Sequence, residues 1–206
     1  MARTSARSFL YTLLYSGVIT IVLGAAMLSA RDVAVADAAE RGDAAAVMAL
    51  IKGGADVNTA QGDGMTALHW AAMNGDKPLT ELLLGAGANT RSTTRINRYT
   101  PLMLAARQGH GPVVEALLAG GANPETTTDN GTTVLMFAAA SGDVASVEAI
   151  AKRKVDLNAR EVVRGLTAAM FAAAANHAAV VTALGKAGAD LSATSDPLDL
   201  KVVDRS

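Results

Sequence analysis

Hydrophobic positions fall into two regimes along the chain. From Phe9 to Leu28 the residues are mostly apolar and carry no charge; Arg3 and Arg7 precede them, and Ser29, Ala30, Arg31 and Asp32 come after. Beyond residue 33 short apolar blocks such as Leu82-Leu83, Leu117-Leu118 and Val147 with Ile150 alternate with breaks rich in Gly, Asn and Asp. Blocks of this length between such breaks predict short helices that each bury one face.

The first regime has the layout of a bacterial-type signal segment: positive residues, an apolar stretch, then small residues where cleavage after Ala30 would fall. Ala34-Val35-Ala36 is a second acceptable site, but cutting there removes the start of the next unit. An apolar run of roughly 20 residues also suffices to span a bilayer uncleaved. In both readings the positive flank stays in the cytoplasm and the rest of the chain is exported. The expected location is periplasmic or secreted, or anchored in the inner membrane by residues 9–28.

The second regime is periodic. Thr66-Ala67-Leu68-His69, Thr100-Pro101-Leu102-Met103, Thr133-Val134-Leu135-Met136 and Thr167-Ala168-Ala169-Met170 succeed one another at steps of 34, 33 and 34. Gly42-Asp43, Gly75-Asp76, Gly109-His110, Gly142-Asp143 and Asn176-His177 keep step at 33, 34, 33 and 34. Gly54-Ala55-Asp56, Gly87-Ala88-Asn89, Gly121-Ala122-Asn123, Lys154-Val155-Asp156 and Gly188-Ala189-Asp190 show the same four intervals. A fixed period of this length predicts a solenoid of stacked units.

Each unit reads physically as helix, turn, helix. Thr66, Thr100, Thr133 and Thr167 are N-caps, with Pro101 in the first helical position where a missing amide costs nothing. The Gly or Asn at 75, 109, 142 and 176 ends the first helix in the left-handed conformation, and Pro78 and Pro112 open the second helix. Alanine pairs Ala71-Ala72, Ala105-Ala106, Ala138-Ala139 and Ala172-Ala173 permit close helix contact. No single pair buries its own face, so stability accumulates from neighbouring interfaces. Lys154 occupies a helix-ending position held by glycine elsewhere and costs roughly 1 kcal/mol if its backbone is left-handed.

On these three markers the chain resembles the ankyrin repeat family over residues 33–192, most closely along Thr66-Ala67-Leu68-His69-Trp70-Ala71-Ala72-Met73-Asn74-Gly75-Asp76. The resemblance implies an all-α repeat solenoid of about five helix-turn-helix units with β-turn or hairpin fingers, behind an N-terminal signal or anchor helix. The divisions are 1–30 for the leader, 31–60, 61–94, 95–127, 128–161 and 162–192 for repeats one to five, and 193–206 for a tail. Repeat five has hardly any charge from Ala178 to Leu184, and the tail from Thr194 to Ser206 is available to fold over it.

Composition narrows the chemistry. Aromatic residues make up 3% of the chain and apolar ones 50%, so the core is built from Ala, Leu, Val and Met. Net charge is −1; Arg3 and Arg7 are the charged residues of the leader, so its removal leaves −3, which does not favour nucleic acid as a partner. With no cysteine there is no disulfide, thiolate nucleophile or Cys-ligated zinc. His69, His110 and His177 fall where the family places structural hydrogen bonds. Gly62-Asp63-Gly64-Met65-Thr66-Ala67 fits a loose dinucleotide pattern, but no strand–helix context surrounds it. Asn130-Gly131-Thr132 fits a glycosylation acceptor and reads better as a turn. No enzyme, cofactor or metal is expected.

What remains is surface. The resemblance implies a concave groove that binds a protein partner through variable positions: Met65, Met73 and Asn74 in repeat two; Ile96, Asn97, Tyr99, Arg107 and Gln108 in repeat three; Asp129, Asn130, Thr132, Ala140 and Ser141 in repeat four. Trp70 lies at the edge of this groove or packs between repeats, and Phe137 and Phe171 match its place. Arg91, Arg95, Arg98, Arg160 and Arg164 put positive charge on the third and fifth fingers, which implies an anionic patch on the partner or serves solubility. Membrane contact is expected only through an uncleaved leader. The alternatives are a recruiting module of a larger enzyme and a membrane-anchored tether.

Overall fold

The computed structural model describes residues 34–195; the leader and the end of the tail, and with them the expectations of export, cleavage and a covering tail, lie outside the described residues. Among the described residues ten helices run in order: α1 over 34–40, α2 Ala44–Lys52, α3 Ala67–Met73, α4 Lys77–Gly85, α5 Pro101–Gln108, α6 Gly111–Ala119, α7 Val134–Ser141, α8 Val144–Ala151, α9 Ala168–Ala174 and α10 Ala178–Ala187. They pair as antiparallel hairpins and stack in two rows, α3, α5, α7 and α9 inside and α4, α6, α8 and α10 outside. None of the described helices is long and apolar enough to cross a membrane.

The caps fall where the sequence places them. Thr100, Thr133 and Thr167 accept the amides of Met103, Met136 and Met170, while Asp43, Asp76 and Asp143 accept those of Ala46, Leu79 and Ser146 at the start of the second helices. Repeat two differs: His69 Nδ1 accepts the Thr66 amide at 3.1 Å and lies 2.8 Å from the Thr66 hydroxyl. Lys154 is left-handed, at φ 59°.

The core is one continuous stripe between the rows. Leu68, Leu102 and Leu135 from the inner helices and Leu83, Leu117, Ile150 and Leu184 from the outer ones are almost fully buried. Ala71-Ala72, Ala105-Ala106 and Ala138-Ala139 are buried too, which sets the close spacing of the inner row. The fourth pair behaves otherwise. Ala172 is buried but Ala173 is exposed, because no further repeat among the described residues covers it.

Each finger is a turn closed across its ends by a backbone bond, reinforced in fingers two, four and five by a second one from Gly64, Gly131 and Gly165 N–H to the carbonyls of Gln61, Thr128 and Glu161, with an isolated bridge between Thr127 and Thr133. Gln61 N–H donates to Met65 O and Thr128 N–H to Thr132 O, whereas Thr94 reaches Tyr99 and Glu161 reaches Leu166, one residue further. The alternation between a shorter and a longer period therefore resides in the fingers. The intervals from Gly87 to Thr100 and from Lys154 to Thr167 are each one position longer than those from Gly54 to Thr66 and from Gly121 to Thr133.

Asn58 ties repeat one to repeat two, donating to Gly87 O at 3.2 Å and accepting Asn89 N–H at 2.7 Å; over repeats two to five the bonds between fingers and inner turns keep the same alternation. Asp63 O accepts Arg95 N–H at 2.8 Å and Asn130 O accepts Val162 N–H at 3.0 Å. His110 Nε2 donates to Met73 O at 3.1 Å and His177 Nε2 to Ala140 O at 3.2 Å. Both rings lie so close over Gly75 and Gly142 that a Cβ there would meet them at 2.7–2.8 Å. The fingers thus pair as two doublets, two with three and four with five, whereas the helix rows pack just as closely between repeats three and four. Among the described residues no backbone hydrogen bond joins finger three to finger four.

Candidate interaction groove

Along the inner row the side chains beside each cap form a stripe of Trp70, Tyr99, Phe137 and Phe171, all half-buried against the core. Tyr99 meets Phe137 edge-on with centroids 5.7 Å apart and planes at 78°, a favoured aromatic geometry. That ring pair spans the two doublets where the finger backbones do not. The Arg107 guanidinium sits 5.6 Å from the centre of the Tyr99 ring, a cation–π contact worth roughly 0.5–1 kcal/mol at an exposed site.

Beside it lies a recess of about 530 Å³ lined by Arg107, Asn130, Thr132, Met136, Phe137, Ala140, Ser141, Glu161, Val163, Arg164, Leu166 and Phe171. Its floor is apolar, and two guanidiniums stand at its rim. A second recess of about 230 Å³ between fingers three and four is lined by Asn97, Tyr99, Thr128, Asp129, Asn130, Thr132 and Phe137. The carboxylate that lines the larger recess is already occupied. Glu161 accepts the amides of Val163 at 2.7 Å, Arg164 at 2.6 Å and Leu166 at 3.3 Å. Loss of water around it works against ionisation, but these amides and the Arg164 charge prevail and hold its pKa below the usual value.

The structure thus brings the positions named from sequence only partly together. Arg107, Asn130, Thr132, Ala140 and Ser141 share the larger recess, and Asn97, Tyr99 and Asp129 join Asn130 and Thr132 in the smaller one. Met65 and Thr132 are buried at 7% exposure and offer little surface. Trp70 donates its Nε1–H to Gln61 Oε1 at 2.7 Å, and Gln61 in turn donates to Asp37 on α1 at 2.7 Å, so the ring is tied into the first interface. Met73, Asn74 and Gln108 lie at or just past the ends of α3 and α5, and Ile96, 74% exposed, on finger three; none lines these recesses. Sequence reasoning misses Glu161, Val163 and Leu166 because it confines the groove to repeats two to four. The longer interval before Thr167 is the available signal, since it extends the fifth finger toward repeat four.

The five arginines of the fingers do not form one edge. Arg164 enters the larger recess, Arg91 and Arg98 line a separate cavity, and Arg160 donates to the Thr194 carbonyl. The histidines are structural. His69 is fully buried, accepts at Nδ1 and donates Nε2–H to Tyr99 O at 3.1 Å. That network fixes the neutral Nε2–H tautomer, and burial, outweighing the backbone carbonyls that favour the cation, lowers its pKa to about 4.

No curated protein matches the chain. A family model described as ankyrin repeats (3 copies) matches residues 35–128 and 102–195, nearly the whole described solenoid. The two-row stack, the cap chemistry and this match agree, and such solenoids are typically non-catalytic domains for protein–protein interaction: the chain belongs to the ankyrin repeat family.

Proposed function

We propose that this protein is an exported ankyrin-repeat module that binds a protein segment in the groove of repeats three to five. The observation that carries the reading is the recess of about 530 Å³ with aromatic and aliphatic residues on its floor and Arg107 and Arg164 on its rim. Aromatic and arginine anchors around a desolvated pocket are the features that dominate interface energetics. The occupant is expected to present an apolar side chain next to a carboxylate. Because the recess exists in the unbound chain, binding requires little rearrangement.

A photo-crosslinking residue at Ala140, inside the recess, is expected to capture one discrete protein, while the same residue at Glu115 on the outer helix α6 is not. Tyr99→Ala with Arg107→Glu should abolish the Ala140 capture while helix content is retained. Equal capture from both positions, or capture that survives the double substitution, refutes the groove. Export rests on the uncharged run from Phe9 to Leu28. A chain lacking residues 1–30 is expected to stay in the cytoplasm on fractionation, and recovery of both forms from the same compartment overturns that part.

A further inference from the structure

Finger three differs from its neighbours in its backbone. At the second position before the capping threonine, fingers two, four and five carry Gly64, Gly131 and Gly165, all with positive φ. Finger three carries Arg98 there at φ 53°, next to Asn97 at φ 61°. A side chain in this region is strained, and such strain persists where the surroundings or the function hold it.

Arg98 lines a cavity of about 450 Å³ between the base of finger three and the Asn123–Thr127 stretch leading to finger four. Arg91 lines it too, with Thr93, Asn123, Thr126 and Thr127, and no carboxylate does. Among the described residues neither guanidinium forms an ion pair; Lys77 pairs with Glu81 elsewhere. Arg91, Arg98, Thr93, Asn123 and Thr127 are all exposed, so their donors are accessible to a ligand from solvent, while the Thr126 hydroxyl already donates to Asn123 O. The site shares no residue with the two groove recesses. It lies at the junction where no backbone bond draws the fingers together.

We propose that this cavity binds a phosphate monoester. Two guanidinium forks match the oxygens of one dianion, and threonine hydroxyls supply the remaining donors. The lining holds no aromatic, leucine, isoleucine or valine side chain. The phosphate can belong to a soluble metabolite or to a lipid headgroup, and the chemistry of recognition is the same.

The test is calorimetric titration of the full chain with inorganic phosphate and with glycerol 1-phosphate, beside acetate as a monoanion control. Arg98→Gly is expected to weaken phosphate binding tenfold or more while raising Tm by roughly 2–4 °C as the strain is released. Arg91→Gln should weaken binding similarly without raising Tm. Opposite signs on affinity and stability separate a ligand site from a structural role. Flotation with phosphatidic acid vesicles, against phosphatidylcholine vesicles, distinguishes the sources: loss of flotation in Arg98→Gly with no soluble binding assigns the headgroup, and calorimetric loss alone assigns a soluble ester. The proposal is overturned if phosphate and vesicles bind the wild type and Arg98→Gly equally, or if neither binds the folded chain at about 10 mM phosphate.

Discussion

His69 shows how one side chain serves two repeats. Its neutral ring accepts from Thr66 and donates to the carbonyl of Tyr99 in the next finger, and its pKa falls to about 4 from 6.5. The unfolded chain takes up this proton first, so the stability held by the neutral ring is complete above about pH 6.5 and declines as pH falls toward 4, by about 3 kcal/mol in total. His69→Met, which installs the residue found at 103, 136 and 170, is expected to remove that slope and to cost about 1–2 kcal/mol at neutral pH. Urea unfolding at several pH values reads both quantities, and an unchanged slope would refute the assignment. Lys154, left-handed at φ 59°, gives the opposite case. Lys154→Gly should raise stability by roughly 1 kcal/mol, seen as a higher urea midpoint at unchanged slope.

At the scale of the element, the helices are legible in the sequence and the fingers are not. Thr100, Thr133 and Thr167 announce their helices because a cap needs a hydroxyl at one fixed place. The finger partners are mostly backbone groups, Asp63 O, Asn130 O and Tyr99 O, and no side-chain pattern marks a carbonyl. Hence Met65 and Thr132 read as surface positions, and the turn withdraws both from the surface. Finger five depends on Glu161, whose carboxylate gathers three amides. Glu161→Gln is expected to speed hydrogen exchange at Val163, Arg164 and Leu166 by tenfold or more without affecting Thr132 in finger four. The lowered pKa gives the same sign on acidification: the contribution is present above the ordinary carboxylate value and is lost as pH falls through the lower folded one.

For the whole molecule, the inner row is continuous while the fingers pair two by two. Some of this is written in the sequence, in the alternately shorter and longer spacing ahead of each capping threonine and in the exchange of Asp76 and Asp143 for His110 and His177. Those signs have no evident meaning until the carbonyls they serve are in place. The end of the described stack is half legible: the low charge of repeat five marks its exposed face, where Ala173, Ala174 and Ala175 lie open to solvent. In a chain whose stability is summed from neighbour to neighbour, unfolding begins at such a face. Amides of α9 and α10 should therefore lose exchange protection before those of α5 and α7, and the reverse order would contradict the nearest-neighbour picture.

The extra residue in fingers three and five has one more consequence. Helix rows stacked at the usual interaxial distance place equivalent points of alternate repeats about 20 Å apart. A binding element that touches both long fingers must bridge that distance across the shorter finger four, which an extended strand does with about six residues. A partner element bound across both long fingers in the proposed groove is therefore held to a spacing set by every second repeat, in addition to the chemistry of its contacts.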